Sequence, residues 1–312
     1  MNNDLKERLN CTGKEEQKFI NHLKSISNFD ESVVDYDYRP FDTRKIFYDT
    51  VLITRHREAV MKNMSRANIS IVTTRLLSGE KFNHVFCSEH ISDICLLSTK
   101  TSESGYAFPL YVYNDINISG TQKGISGESV KKSGKQPNFT KEFQRFIAEK
   151  YKGRSIIPED ILGYIYSVLH SSKYRARYQE LLKMGFPRIP FVGDYGKFKK
   201  LSELGNDLIL LHLMKNNTVK HTTKFDMPGD RKVDTIKYSD DKVYINDKQY
   251  FEGIPSEVWE FMVGGYKVLD KWLKERKNKQ LSSRDVEHFI KMVGVISETL
   301  NIIRKIDDLG VF

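Results

Sequence analysis

Between Asn114 and Asn138 the chain changes character. These residues include four glycines, four serines and four lysines with few large apolar side chains. A stretch of this composition reads as a loop or linker, so it divides the 312-residue chain into two unlike parts. Upstream, short runs rich in β-branched and aromatic residues predict strands: Asp35 to Ile53 as two strands about the turn Arg39-Pro40-Phe41-Asp42, then Ile69 to Arg75, His84 to Cys87, and Ala107 to Tyr113 as the clearest buried strand, in which Pro109 suggests an edge or a strand start. Downstream, apolar residues recur at helical spacing. Helices are expected over Thr140 to Tyr151, from Pro158 through Leu169, over Tyr174 to Met184 and over Lys197 to Met214. Two longer ones, Pro255 to Lys277 and Ser282 to Asp308, are expected as an antiparallel pair. Alternation over 232–251 predicts a small hairpin about Ser239-Asp240-Asp241, and residues 14–28 and Glu58 to Met64 predict short helices.

The expected fold class is therefore α+β, a β-rich lobe followed by a mostly helical lobe with a small β-hairpin. Its parts are an N-terminal helix and linker at 1–35, a β-rich lobe at 36–139 containing the basic loop 114–138, and a helical lobe at 140–312. With 39% hydrophobic residues the chain has ample material for a core. Three cysteines, Cys11, Cys87 and Cys95, fit a reducing compartment better than a disulfide framework. The charged start of the chain carries no apolar signal segment, and no run approaches the length of a membrane span, so a cytoplasmic protein is expected.

Signatures of chemistry are missing. There is no Pro-Pro, hence no adenine-methyltransferase tetrad, and the glycines from Gly124 to Gly134 have the wrong spacing for a phosphate-cradling loop. The triplets Glu16-Gln17-Lys18 and Glu275-Arg276-Lys277 match the spacing of a nuclease motif but sit among the exposed charges of predicted helices. His84, Cys87, His90 and Cys95 could in principle ligate zinc, yet lack the paired spacing of a zinc knuckle; buried apolar cysteines are the expectation. No metal, no cofactor and no catalytic residue is expected.

What remains is charge. Lys and Arg exceed Asp and Glu by 50 to 41, and the excess clusters. From Arg39 to Arg66 there are seven basic residues (Arg39, Arg44, Lys45, Arg55, Arg57, Lys62 and Arg66) against three acids; from Lys123 to Arg154 there are nine against three. Arginines on β-turn segments can bond guanine edges bidentately, and lysines on a glycine loop can meet phosphates. The candidate DNA-binding residues are Arg39, Arg44, Lys45, Arg55, Arg57, Arg66, Arg75, Lys123, Lys131, Lys132, Lys135 and Lys173, with Arg44, Arg55, Arg57 and Arg75 the candidates for reading bases. Lys173, in Ser171-Ser172-Lys173, could meet a phosphate but reads more readily as part of a helix boundary.

Several stretches together carry a resemblance: Tyr38-Arg39-Pro40-Phe41-Asp42-Thr43-Arg44 with Phe47-Tyr48, Arg57-Glu58-Ala59-Val60-Met61, Phe82-Asn83-His84-Val85-Phe86, Phe108-Pro109-Leu110-Tyr111, Pro158-Glu159-Asp160-Ile161, Leu169 to Arg175, Phe186-Pro187-Arg188-Ile189-Pro190, Tyr250-Phe251-Glu252-Gly253-Ile254-Pro255 and Gly264-Gly265-Tyr266. In this order they resemble the C-terminal specificity domain of the type I-like single-polypeptide (type ISP) restriction-modification enzymes and related adenine DNA methyltransferases. That family joins a nuclease, a helicase-like translocase, an adenine methyltransferase and a recognition module. The resemblance implies a non-catalytic, sequence-specific reader of double-stranded DNA, partnered in cis or in trans by a methyltransferase/helicase polypeptide, with this chain a fragment, split subunit or remnant of such an enzyme. Two rival expectations stand beside it: a subunit of an S-adenosylmethionine-dependent methyltransferase, and a helical docking module for such an enzyme.

Overall fold

The computed structural model describes residues 14–26, 32–49, 52–53, 57–79, 81–114, 134–216 and 222–312. After helix α1 (Lys14–Ser25), strands β1 (Val33–Arg39) and β2 (Asp42–Phe47) form an antiparallel pair that turns at Pro40-Phe41. Phe41 adopts a left-handed backbone, φ 61°, which an aromatic residue tolerates only when its surroundings hold it. Here its buried ring meets Phe86 edge-on at 5.1 Å. Strand β1 also pairs in parallel with β5 (Ile91–Ser92).

The second sheet has β3 (Ser70–Thr74) between β4 (Val85–Ser88) and β6 (Gly105–Pro109), all antiparallel. Every residue of β3 and β4 is buried, and hydroxyls there find partners: Thr73 donates to the His84 carbonyl at 2.8 Å, Ser70 to that of Ser88 at 3.3 Å, and Ser88 to Asp37 of β1 at 2.5 Å. A short helix α2 (Glu58–Met61) precedes it.

The stretch Ala107 to Tyr113, expected as one buried strand, divides. Its first part completes β6; its last part is β7 (Tyr111–Asn114), which pairs with β8 (Gly134–Pro137) in a separate two-stranded ribbon. The break falls where Pro109 lacks an N–H and Leu110 exchanges backbone bonds with Ile69 and Asn138 instead. On β6, Tyr106 and Phe108 are 45% and 44% exposed, so that strand is half-buried.

The helical half runs α3 (Lys141–Lys150), α4 (Pro158–His170), α5 (Ser172–Arg177), α6 (Gln179–Met184) and α7 (Tyr195–His212). Pro158 stands in the first turn of α4, where its missing N–H costs nothing, and the Asp160 carboxylate accepts from the Ile157 N–H. The expected hairpin gains a strand: β9 (Lys237–Ser239), β10 (Lys242–Tyr244) and β11 (Tyr250–Glu252) form one small sheet. Asp240 and Asp241 make its first turn with φ of 52° and 55°, the primed geometry that matches strand twist.

The long helix expected from Pro255 to Lys277 does not form. Instead come α8 (Ser256–Trp259), a minimal hairpin of β12 (Met262–Val263) and β13 (Tyr266–Lys267), and α9 (Val268–Lys274). Gly264 and Gly265 interrupt the helical pattern. Gly264 has φ +59° and lies so close to the Leu97 carbonyl that a Cβ would stand 1.9 Å from its oxygen. The closing helix α10 (Ser283–Asp308) forms as expected, started by the reciprocal Ser282–Asp285 cap. Phe41, Phe86 and Leu97 of the strand-rich half share one hydrophobic core with Leu169, Leu208, Trp272, Phe289 and Ile296 of the helices. The architecture is a mixed α+β fold.

Candidate nucleic-acid interface

The β7–β8 ribbon would be a marginal structure by itself. Side-chain amides from the turn after α2 anchor it. Asn68 accepts from the Tyr111 N–H at 3.1 Å and donates to the Tyr111 carbonyl at 2.8 Å, so it occupies the free edge of β7 as a neighbouring strand would. Asn63 accepts from the Tyr113 N–H at 2.9 Å while its amide nitrogen donates to the Ala59 and Val60 carbonyls, tying α2 to the same edge. The phenol of Tyr113 donates to the Ala67 carbonyl at 2.6 Å, and that of Tyr111 to Glu159 at the start of α4.

Cations gather on this anchored unit. The Arg66 guanidinium lies 5.1 Å over the Tyr113 ring and the Lys135 ammonium 3.8 Å over the Tyr111 ring. An aromatic face holds a cation in place without neutralising it. Arg57, exposed at the head of α2, has a left-handed backbone (φ 50°, ψ 45°), and Lys62, also exposed, follows the helix. Arg66 and Lys135, far apart in sequence, thus meet on one ribbon, to whose edge the helix headed by Arg57 is tied through Asn63. Lys123, Lys131, Lys132 and Arg55 lie outside the described residues.

The remaining candidates are placed differently. Arg39 is 8% exposed; its guanidinium donates to the Tyr38 carbonyl, lies 3.5 Å from Asp93 and stacks on Tyr38 and Tyr266. Arg44 is half-exposed, paired with Asp42 at 2.8 Å and Glu275 at 3.5 Å over the face of Tyr38. Lys45 is exposed beside Asp35 at 2.8 Å. Acids therefore balance the β1–β2 cations. Arg75 is exposed just beyond β3. The Lys173 ammonium donates to the Asp307 carbonyl at 2.7 Å, at the C-terminal end of α10.

The four residues with zinc-like spacing disperse to separate partners. His84 meets Glu103 at 3.2 Å, His90 meets Asp37 at 3.1 Å, Cys87 is buried against the Ile209 carbonyl, and Cys95 is half-buried beside Asp93. Burial pushes the Cys87 thiol up to about 12, which makes it inert. Glu103 is an ionised structural anchor: burial opposes its charge, but hydrogen bonds from Ser78 and Ser98 outweigh that and hold its carboxyl at about 2. Among the described residues no group of three or more His, Cys, Asp or Glu side chains could hold a metal ion, and no helix is long and apolar enough to cross a membrane. Charge counting alone missed the contribution of Asn63, Asn68, Tyr111 and Tyr113. The alternation of Tyr111 and Tyr113 in a strand next to a basic segment was the available signal.

The family model of the Type ISP C-terminal specificity domain matches residues 3–305. The chain belongs to that family. No curated protein matches this specificity domain. Its fold is similar to that of the ATP-dependent Type ISP restriction-modification enzyme LlaBIII bound to DNA, with TM-score 0.70 and 18% identity over 95% of this chain and 20% of that one. It is similar also to the chain in the DrdV–DNA complex, with TM-score 0.72 and 20% identity over 95% of this chain and 30% of that one. A nuclease-deletion mutant of the Type ISP enzyme LlaGI, in complex with a DNA substrate mimic, gives TM-score 0.62 and 19% identity over 88% of this chain and 25% of that one. The specificity domain thus spans less than a third of the length of each of these chains.

Proposed function

We propose that this specificity domain binds double-stranded DNA, reads a short sequence within it, and so directs the catalytic parts of a Type ISP restriction-modification enzyme, carried in cis or in trans, to their site. The domain serves as a reader and does no chemistry by itself. The observation that carries this reading is the anchored cationic unit in which Arg66 and Lys135 lie on the tyrosines of the β7–β8 ribbon, with exposed Arg57 heading the helix tied to its edge. A two-stranded ribbon is narrow enough to enter the major groove, and cations held on aromatic faces can meet the phosphates beside it. Lys123, Lys131 and Lys132 join this proposal on sequence alone, since they fall in the segment connecting β7 to β8. Arg55, beside Arg57 in sequence, joins it likewise. The test is binding of the chain to randomised duplexes across a salt series: a reader enriches a short motif and loses affinity steeply with salt. Binding that is equal on all sequences would refute it, and saturable binding of S-adenosylmethionine would revive the methyltransferase-subunit alternative.

One observation favours a second role, docking of the rest of the enzyme. Tyr106, Phe108 and Phe186 form an exposed aromatic cluster with ring centroids 5.2 and 5.3 Å apart, beside exposed Leu181 and Met184. Contiguous apolar surface of this kind marks interaction sites. Phe186→Asp should weaken association with a methyltransferase polypeptide while leaving duplex affinity unchanged.

A further inference from the structure

The ribbon has two faces of different chemistry. Tyr111, Tyr113 and Lys135 share one, fastened to Glu159 and Ala67 through the two phenols. Side chains alternate along a strand, so Val112, Asn114 and Gln136 occupy the other. Val112 stands directly opposite Gln136 in the register, and Asn114 is paired with Gly134, one cross-strand pair away on that face. Asn114 and Gln136 are exposed. The contrast with the two neighbouring amides is direct: Asn63 and Asn68 are spent on backbone groups of α2 and β7.

We infer that Gln136, with Val112 across from it and Asn114 beside them, forms a base-reading face for A·T pairs in the major groove. This rests on the reading of the domain as a duplex binder and names the specificity determinants within it. A carboxamide offers one donor and one acceptor side by side, the complement of adenine N6–H and N7, and an aliphatic side chain suits the thymine methyl group. The spacing agrees. Two residues along a strand advance about 6.6–6.8 Å, twice the roughly 3.4 Å step between bases along one strand of a duplex. A ribbon lying along the groove therefore brings Gln136 and Asn114 to bases two steps apart. Rigidity agrees as well, because the asparagine-bonded edge fixes β7, from which Asn114 projects, and β8, which carries Gln136, is paired to β7 along its length. Long cationic side chains held on the tyrosine rings, Lys135 and Arg66, suit the sugar-phosphate rims.

The experiment is selection from randomised duplexes with the full chain, its Gln136→Ala, Asn114→Ala and Gln136→Glu variants, followed by affinity measurements on the selected duplex. Gln136→Ala should lose about tenfold or more of its preference for adenine at one position, with affinity for unrelated duplex within twofold. Gln136→Glu should move the preference at that position towards cytosine, whose amino group donates. Replacing that adenine by 7-deazaadenine removes the N7 acceptor. It should weaken the wild-type chain and leave Gln136→Ala unchanged, a response that a merely structural glutamine would not give. A wild-type chain that selects a motif which Gln136→Ala and Asn114→Ala both reproduce intact would overturn the ribbon as reader while sparing the domain's role. A wild-type chain that selects no motif would overturn both.

Discussion

Gly163 of α4 and Gly205 of α7 meet backbone to backbone: a Cβ on Gly205 would lie 1.7 Å from the Gly163 carbonyl oxygen, and one on Gly163 would lie 2.4 Å from that of Ser202. The two helices owe their closeness to these hydrogen-for-methyl positions. Two effects compete on substitution. Alanine is favoured over glycine in a helix by about 1 kcal/mol, whereas overpacking costs about 1–3 kcal/mol and more when the obstacle is backbone that cannot rotate aside. At 1.7 Å the clash decides. Gly205→Ala should lower stability by roughly 3 kcal/mol or more, read as a shift in urea midpoint. Gly193, exposed with nothing near its missing Cβ, should accept alanine within about 0.5 kcal/mol. A stabilised Gly205→Ala variant would show that the helices do not touch here.

Arg66 and Lys135 are predicted to act on phosphates. Replacing either by alanine should weaken binding by a similar factor on every duplex. It should also reduce the slope of log affinity against log salt by about 0.9 for each phosphate that is no longer neutralised. Tyr111→Leu should weaken binding as well, because it removes the ring 3.8 Å beneath the Lys135 ammonium while keeping the charge. Electrophoretic shifts at several salt concentrations separate these outcomes: an unchanged slope in both alanine variants would place the phosphate-binding cations elsewhere.

Asp307 and Lys173 tie the end of α10 to the start of α5. The Asp307 carboxylate accepts from the Ser171 hydroxyl at 2.6 Å and the Ser172 N–H at 3.2 Å, and the Lys173 ammonium reaches the Asp307 carbonyl. Asp307→Ala strands these donors and should cost about 1–2 kcal/mol. Lys173→Ala removes a cation from a helix C-terminus, worth about 0.3–1 kcal/mol, and should leave duplex affinity within twofold. A large loss of DNA binding in Lys173→Ala, with stability intact, would instead assign this lysine to the interface.

Features set by neighbouring residues were legible from sequence. The turn at Pro40, the hairpin turn about Asp240-Asp241 and the start of the closing helix at Ser282 each announce themselves within a few positions. Features decided by residues far along the chain were not. In the apolar run around Leu110 only Pro109 hints at an edge or a strand start; that the two ends join different sheets is decided by bonds from Ile69 and Asn138. The hairpin at Gly264-Gly265 depends on the distant Leu97 carbonyl, and without that neighbour the flanking apolar residues read as helix. The same holds for the site. Arg39 and Arg66 look alike in a basic segment; Asp93 and Tyr266 draw one inward, while Tyr113 holds the other on an exposed surface.

Acid should unfold this domain through its buried histidines. His212 Nε2 faces the Thr299 hydroxyl at 3.1 Å and Nδ1 faces the Tyr166 phenol at 2.5 Å. Thr299 already donates to the Val295 carbonyl, so it accepts from Nε2–H, and Tyr166 donates to an unprotonated Nδ1. A second proton would abolish the Tyr166 bond and place a charge in the core. Burial, reinforced by the positive Arg175, accordingly lowers His212 from 6.5 to about 3, and burial with Arg175 and His212 drives His170 well down too. The unfolded chain binds these protons near pH 6.5 and the native chain does not. Their contribution to stability is therefore full above about 6.5 and falls as pH drops below it, for His212 towards 3, at roughly 1.4 kcal/mol per pH unit for each histidine in mid-window. Half-buried His90, raised chiefly by its bond to Asp37, contributes with the opposite sign, its share being lost as pH rises through its folded value. Urea midpoints at pH 7, 5.5 and 4.5 should decline steadily. His212→Gln should be less stable at pH 7 but lose about one proton's worth of the slope, and an unaltered slope in that variant would mean that His212 is not held neutral by the fold.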